Sequence, residues 1–321
     1  MSDNLRRYRA IRDALMQAYP TPPTGNFARH LQTLAALISG IVGGKSTQLP
    51  HIATKVPDGT KPESRVKRFA RGVDNAHILE EVYFLPYAEV LLCHLALQTV
   101  VLVMDGSGVG RGCTALMLHV VYKGRALPLA WRGRQAPKGH FPEELHIALV
   151  DLISGLIPAG TPVVLLGDGE FDGTRLQHAL QQAGWSYACR TATSTVATWE
   201  SETFRLDALG ACLKPGRLIE LKEVHVTREA YGPILVLCCW AKGYQEPLYL
   251  VSNMATAEAA CRLYEKRFRI ETFFSDQKSR GFHIHKSHIS DVQRLSRLLI
   301  AACLAYIWIL ACCVLPLLPL P

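Results

Sequence analysis

Ten cysteines are present without a single C-x-x-C pair, and two of the groupings, Cys238-Cys239 and Cys312-Cys313, are adjacent residues that cannot easily bridge to each other. No zinc ribbon can be assembled from such a pattern. Most of these thiols lie in apolar context and read as reduced, buried small residues of a cytosolic protein. The opening stretch MSDNLRRYRAIRD has no apolar core, so no secretory signal is expected. The glycines of DGSGVGRG never reach G-x-G-x-x-G, and the next element reads as a strand, which argues against a dinucleotide fingerprint. SGIVGGKST places Ser39 where a P-loop needs its first glycine, and it is entered from a helix, which argues against nucleotide binding. His283, His285 and His288 have no fourth ligand in register, so phosphate contacts or plain surface are a better reading than zinc.

Net charge is also missing from most of the chain. Residues 1–72 hold 12 Lys and Arg against 4 Asp and Glu, and the remaining 249 residues hold 23 of each sign. The whole excess of +8 therefore lies in the first quarter, as expected of a segment that meets an acidic polymer, most often nucleic acid. Residues 298–321 contain no charge and are long enough to cross a membrane. Pro316, Pro319 and Pro321 break that run, limiting a helix to about Arg294–Leu315. Asp291, Arg294 and Arg297 continue it in an amphipathic register, so a buried core helix is expected and not a membrane span.

What is there is a chain of 321 residues, 49% apolar, enough for a sizeable core. Residues 5–18 and 27–42 read as helices separated by YPTPPTGN. KPESRVKRFARG follows, a dense basic segment in which Arg65, Lys67, Arg68 and Arg71 interleave with Val66 and Phe69. After helical residues 76–97 the pattern changes. TVVLVMDGS, CTALMLHVVYKG and RALPLAWRG read as an antiparallel meander, PEELHIALVDLISGL as a helix and TPVVLLGD as a further strand. Asp105 and Asp168 end two of these apolar runs, and open sheets carry their chemistry at such strand ends. Glu170 and Asp172 compete with Asp168, which is preferred because it directly terminates the strand. Residues 195–253 are rich in β formers, giving an expected β-rich insertion.

Tyr264 to Lys278 contains Y-x-x-R-x-x-x-E-x-x-x-x-x-x-K. As one α-helix it would place Tyr264, Arg267, Glu271 and Lys278 within roughly 60° of arc. Its edge carboxylate, flanked by cations and a phenol, suits a metal ligand facing a polyanion. Together with Asp105 and Asp168, this motif resembles the acidic triad and signature helix of bacterial insertion-sequence DDE transposases of the IS-four-like group, over roughly residues 60–310. Where that group often has Arg after the second Asp, this chain has Gly169.

The resemblance implies a ribonuclease H-like mixed α/β sheet with flanking helices and a β-rich insertion at about 195–253. Residues 1–72 would be a helical DNA-binding region and 73–321 the catalytic domain. It implies Asp105, Asp168 and Glu271 as catalytic residues and as ligands of Mg²⁺, with Mn²⁺ as substitute and two ions per site. Three gathered carboxylates raise one another's pKa unless such cations offset the repulsion. Tyr264, Arg267 and Lys278 would contact DNA near the cleaved end, and Arg65, Lys67 and Arg68 its backbone. Lys45 and Ser46 would sit in a loop touching that backbone, while Trp240 or Phe268 would stack on a displaced base. The implied activity is metal-dependent endonuclease cleavage at terminal inverted repeats and joining to target DNA, by a homodimer on DNA in the cytoplasm, associated with the nucleoid. The competing reading is a non-catalytic DNA-binding protein derived from a transposase.

Overall fold

The structure, a computed structural model, describes residues 2–136 and 139–313. Four helices come first: α1 (Asp3–Gln17), α2 (Gly25–Gly44), α3 (Leu49–Thr54) and α4 (Pro62–Asp74). Two of the starts have a local cause. The Ser2 hydroxyl accepts from the Leu5 N–H at the head of α1, and Pro62 opens α4, where a missing N–H costs nothing. Lys45 ends α2 in a left-handed conformation, its N–H returning to the Ile41 carbonyl. The segment beyond it differs from expectation. Ser46 and Thr47 are buried, Ser46 accepting from the Gln48 N–H and Thr47 bonded to the Phe282 carbonyl, so this loop is a tether to residues 282–283. Helices α5 (Glu80–Tyr83) and α6 (Leu85–Leu95) then lead into the sheet.

Strands β1 (Val100–Gly110), β2 (Cys113–Tyr122) and β3 (Arg125–Gln135) form the antiparallel meander. Helix α7 (Glu143–Ser154) carries the chain to β4 (Val163–Gly167), parallel to β1, and α8 (Thr174–Gln182) carries it to β5 (Ser186–Arg190), parallel to β4. The order β3-β2-β1-β4-β5 is the ribonuclease H-like arrangement. Side chains alternate across a strand, and Val100–Met104 and Val163–Gly167 are buried at every position, so both faces are covered.

Beyond β5 the insertion does not form a separate layer. Strands β6 (Val196–Trp199), β7 (Glu202–Arg205), β8 (Arg217–Val226), β9 (Tyr231–Trp240) and β10 (Leu248–Ser252), with the short α9 (Asp207–Ala211) between β7 and β8, continue the same sheet. Strand β10 pairs antiparallel with β5, extending the order through β10-β9-β8-β6-β7 to ten strands.

The chain returns through α10 (Ala257–Tyr264), a 3-10 turn (Glu265–Phe268), α11 (Arg269–Gln277) and a second 3-10 turn (Ile284–Ser287) to α12 (Val292–Cys313). Helix α12 is apolar enough to cross a membrane by length and composition, and 67% of its most apolar stretch is buried inside the protein. It packs on β3, α2 and α4, joining the N-terminal helices and the sheet in one apolar core. Leu315 and the three terminal prolines lie outside the described residues.

Candidate active site at the strand ends

Register alone brings the two aspartates together. Val103 on β1 stands beside Leu166 on β4 in parallel pairing. Asp105 follows two residues further along β1 and Asp168 comes directly after the last residue of β4, so both acids emerge at neighbouring strand ends and line one cleft. The Gly106 N–H donates to Asp105 at 2.7 Å, and the Glu170 N–H donates to Asp168 at 3.0 Å. The close approach of a ring requires glycine at 106: a Cβ there would lie 2.5 Å from the Phe141 ring, which closes over this strand end.

The Asp105 carboxyl is pushed up to about 6, first by burial and next by the charge of Asp168, against the opposing pull of the Gly106 N–H and Arg267. Removing a carboxylate from water and setting it beside another disfavours its ionised form. Burial also works to raise Glu170, but the His146 ring at 3.5 Å and the Phe141 N–H, which donates to its Oε1, outweigh it and leave this carboxyl below its ordinary value. Asp172 turns away to accept from the Thr191 hydroxyl at 2.7 Å.

The segment carrying the third acid is not one α-helix. In the 3-10 turn residues three apart eclipse, so Tyr264 and Arg267 stack on the inner side, 3% and 8% exposed. Glu271 is rotated outward, its side chain 56% exposed. Lys278 lies at the end of α11, off the helical path, and its ammonium donates to the Ser107 hydroxyl at 2.6 Å. Arg267 is the link between the elements, with Nη2 3.0 Å from Glu271 and Nη1 3.9 Å from Asp105. Burial pushes the Tyr264 phenol up to about 12, outweighing the opposing charge of Arg267.

Asp105, Asp168, Glu170, Arg267 and Glu271 line one cleft of about 600 Å³, walled by Ser107, Thr114, His140 and Phe141. Two adjoining carboxylates that repel each other, one held above its ordinary pKa, match what a hard divalent cation requires. Among the described residues, however, no three His, Cys, Asp or Glu side chains stand ready to hold an ion. The expected set of three is therefore not assembled: the aspartates adjoin, and Glu271 is tied to Arg267.

The other expected contacts divide. Phe268 is 49% exposed beside the cleft and under the Arg267 guanidinium, whose carbon lies 4.5 Å from the ring centroid. Trp240 is elsewhere, at the end of β9, its indole donating to the Tyr244 carbonyl. It is three strand spacings from β4, about 14 Å, and the structure does not bring it to the acids. Lys67 is exposed on α4. Arg68 is partly exposed and pairs with Asp58 at 2.8 Å. Arg65 is largely buried, bound to the Asp58 carboxylate and to the carbonyls of Ala53, Val56 and Asp58, so its guanidinium braces the protein from within. Ser107, His140 and Phe141 were not anticipated. Only Ser107 carried a signal, two residues beyond Asp105 on the same strand face.

The transposase DDE domain family matches residues 99–308 of this chain. Among solved structures, the chain is similar to piggyBac transposase in its synaptic complex with hairpin DNA, at 11% identity and a TM-score of 0.48, over 96% of this chain and 74% of that one. No curated protein matches the sequence.

Proposed function

The chain belongs to the transposase DDE domain family, and from that premise we propose that it cleaves the ends of its own insertion sequence and joins them to target DNA by metal-dependent phosphoryl transfer. The observation that carries this reading is the meeting of Asp105 and Asp168 at neighbouring parallel strand ends, in a cleft that also holds Glu271. Asp105 and Asp168 would hold divalent cations, Mg²⁺ or Mn²⁺ and two per site, with Glu271 completing the set. Bound there, the ions would activate the attacking oxygen and stabilise the departing one.

The chain's own groups do the positioning. Gly106 and Glu170 fix the aspartates through their N–H groups, and Lys278 on Ser107 marks the lip where a backbone phosphate would lie. Water attack at the element's end would break a phosphodiester and leave a 3′-OH, which then attacks a phosphodiester of the target. Tyr264, Arg267 and Lys278 match the Y-R-E-K signature of the IS-four-like group, and Phe268 is exposed for stacking. Residues 1–72 would bind the terminal inverted repeats through Lys67 and Arg71, and residues 73–321 would carry catalysis. The assembly would be a homodimer on DNA, acting in the cytoplasm with the nucleoid.

The test is incubation with DNA flanking the protein's own gene in Mg²⁺ or Mn²⁺, followed by mapping of broken strands. Breaks at the element's ends, lost on chelation and in Asp105→Asn, Asp168→Asn and Glu271→Gln while end binding persists, are expected. Binding without any metal-dependent break would leave a non-catalytic DNA-binding protein derived from a transposase.

A further inference from the structure

Arg267 is an unusual neighbour for a cation site. Its side chain is 10% exposed and lies between two carboxylates that come from different elements, Asp105 on β1 and Glu271 on α11. Neither contact is bidentate, and the buried Nε has no hydrogen-bond partner. The guanidinium is stacked on the ring of Phe268, whose other surroundings are open. A fork with five donors is thus held by charge and stacking more than by a full set of hydrogen bonds.

We propose that Arg267 competes with divalent cations for Asp105 and Glu271, so that taking up an ion at the acids and freeing the guanidinium are one exchange. This rests on the metal reading given above. The positive charge beside Asp105 is either the arginine or the ion, because both in one half-buried space repel strongly. The freed guanidinium stays stacked on Phe268 at the cleft mouth, where a backbone phosphate satisfies its planar fork. Glu271, released from Arg267, is the acid able to move, being half-exposed on a helix, whereas Asp105 is held in the pairing of β1 with β2 and Asp168 accepts from the Glu170 N–H. Arg267 is accordingly a positioning residue that couples ion loading to DNA engagement.

The experiment measures Mn²⁺ binding without DNA, by the electron paramagnetic resonance signal of the free ion, for the full-length protein and for Arg267→Gln, Arg267→Lys and Asp105→Asn. Arg267→Gln is expected to bind Mn²⁺ about tenfold more tightly, as removal of a nearby like charge requires. Arg267→Lys is expected in between, since one ammonium cannot bridge both acids, and Asp105→Asn is expected to lose binding. As a second readout, Mn²⁺ should raise the thermal midpoint of Arg267→Gln more than that of the unmodified protein. Where Arg267→Gln does not fold, Arg267→Lys carries the comparison. Binding to Arg267→Gln that is equal to or weaker than in the unmodified protein overturns the exchange. If strand cleavage in Mg²⁺ is nonetheless observed, the proposed function stands and only the exchange is lost. Failure of every form to take up Mn²⁺ sinks both the exchange and the metal reading.

Discussion

Arg65 on α4 and Arg267 in the 3-10 turn occupy two basic segments that look alike as sequence, KPESRVKRFARG and YEKRFRIETFFSDQK. Folding gives them opposite situations. Every nitrogen of the Arg65 guanidinium is engaged, by one carboxylate and three backbone carbonyls, all within twelve residues of it. Arg267 bridges acids brought together over 166 residues of chain, and one of its buried nitrogens has no partner. A satisfied arginine holds the fold, and an under-satisfied one beside a cleft is available for exchange. Cations counted from the sequence are therefore not the same as cations that can reach a ligand.

The largest effect that can break this contrast is on catalysis. Arg267→Gln is expected to lower strand cleavage on the order of 100-fold with little change in thermal midpoint, read from nicking of end DNA alongside a melt. Arg65→Ala is expected to do the reverse. Leaving three carbonyls without this donor, and Asp58 with Thr60 and Arg68 alone, costs about 3 kcal/mol in denaturant titration, with cleavage per folded molecule unchanged. Parallel losses of cleavage and stability in both variants would erase the distinction.

Asp58 sharpens it through pH. Burial works to raise this carboxyl, but hydrogen bonds from Thr60 and Arg68 and the charge of Arg68 outweigh it, leaving the pKa lowered in the folded state. A lowered folded pKa means that the contribution is present above the unfolded value and is lost as pH falls through the folded one. Asp58→Asn should therefore cost about 1–2 kcal/mol at neutral pH, solvent weakening the pair on its exposed side. The loss should shrink below about pH 4, where the unfolded parent chain takes up the proton before the folded one does. A loss that is constant from pH 7 to 3 would mean the ion pair contributes nothing.

The smallest expected effect on stability is at the exposed cations. Lys67→Gln and Arg71→Gln should each change stability by less than about 0.5 kcal/mol, while each reduces the salt slope of DNA binding by about one. An unchanged slope would remove α4 from the DNA-facing surface.

Much of the sheet was legible because its causes are local. Apolar runs that end in an acid specify buried strands whose carboxylates emerge at one end, and β1 and β4 follow that reading closely. The break at Glu265–Phe268 was not legible, since EKRF contains no helix breaker and propensity alone continues the helix. Its consequence is large, because it turns Glu271 outward and leaves Lys278 beyond the helix. The brace on Arg65 had a faint signal in the D-G-T turn just before Pro62, where Asp58 accepts from Thr60. Nothing in the chain indicated that Phe141 would close over Gly106, because a steric partner 35 residues away leaves no periodic trace.

By itself the order of amino acids determined the strands of the meander and β4, the two strand-end aspartates and the concentration of positive charge in the first quarter, since alternation, apolar runs and composition act over a few residues. Only the tertiary structure decided that β4 lies beside β1, which sets Asp105 and Asp168 at neighbouring strand ends, and that the insertion extends the same sheet. It also decided which arginines are bound internally. Those outcomes depend on strand pairing and on competition among charges far apart in the chain, where the winning partner is the one that folding brings within about 4 Å in a partly dehydrated setting.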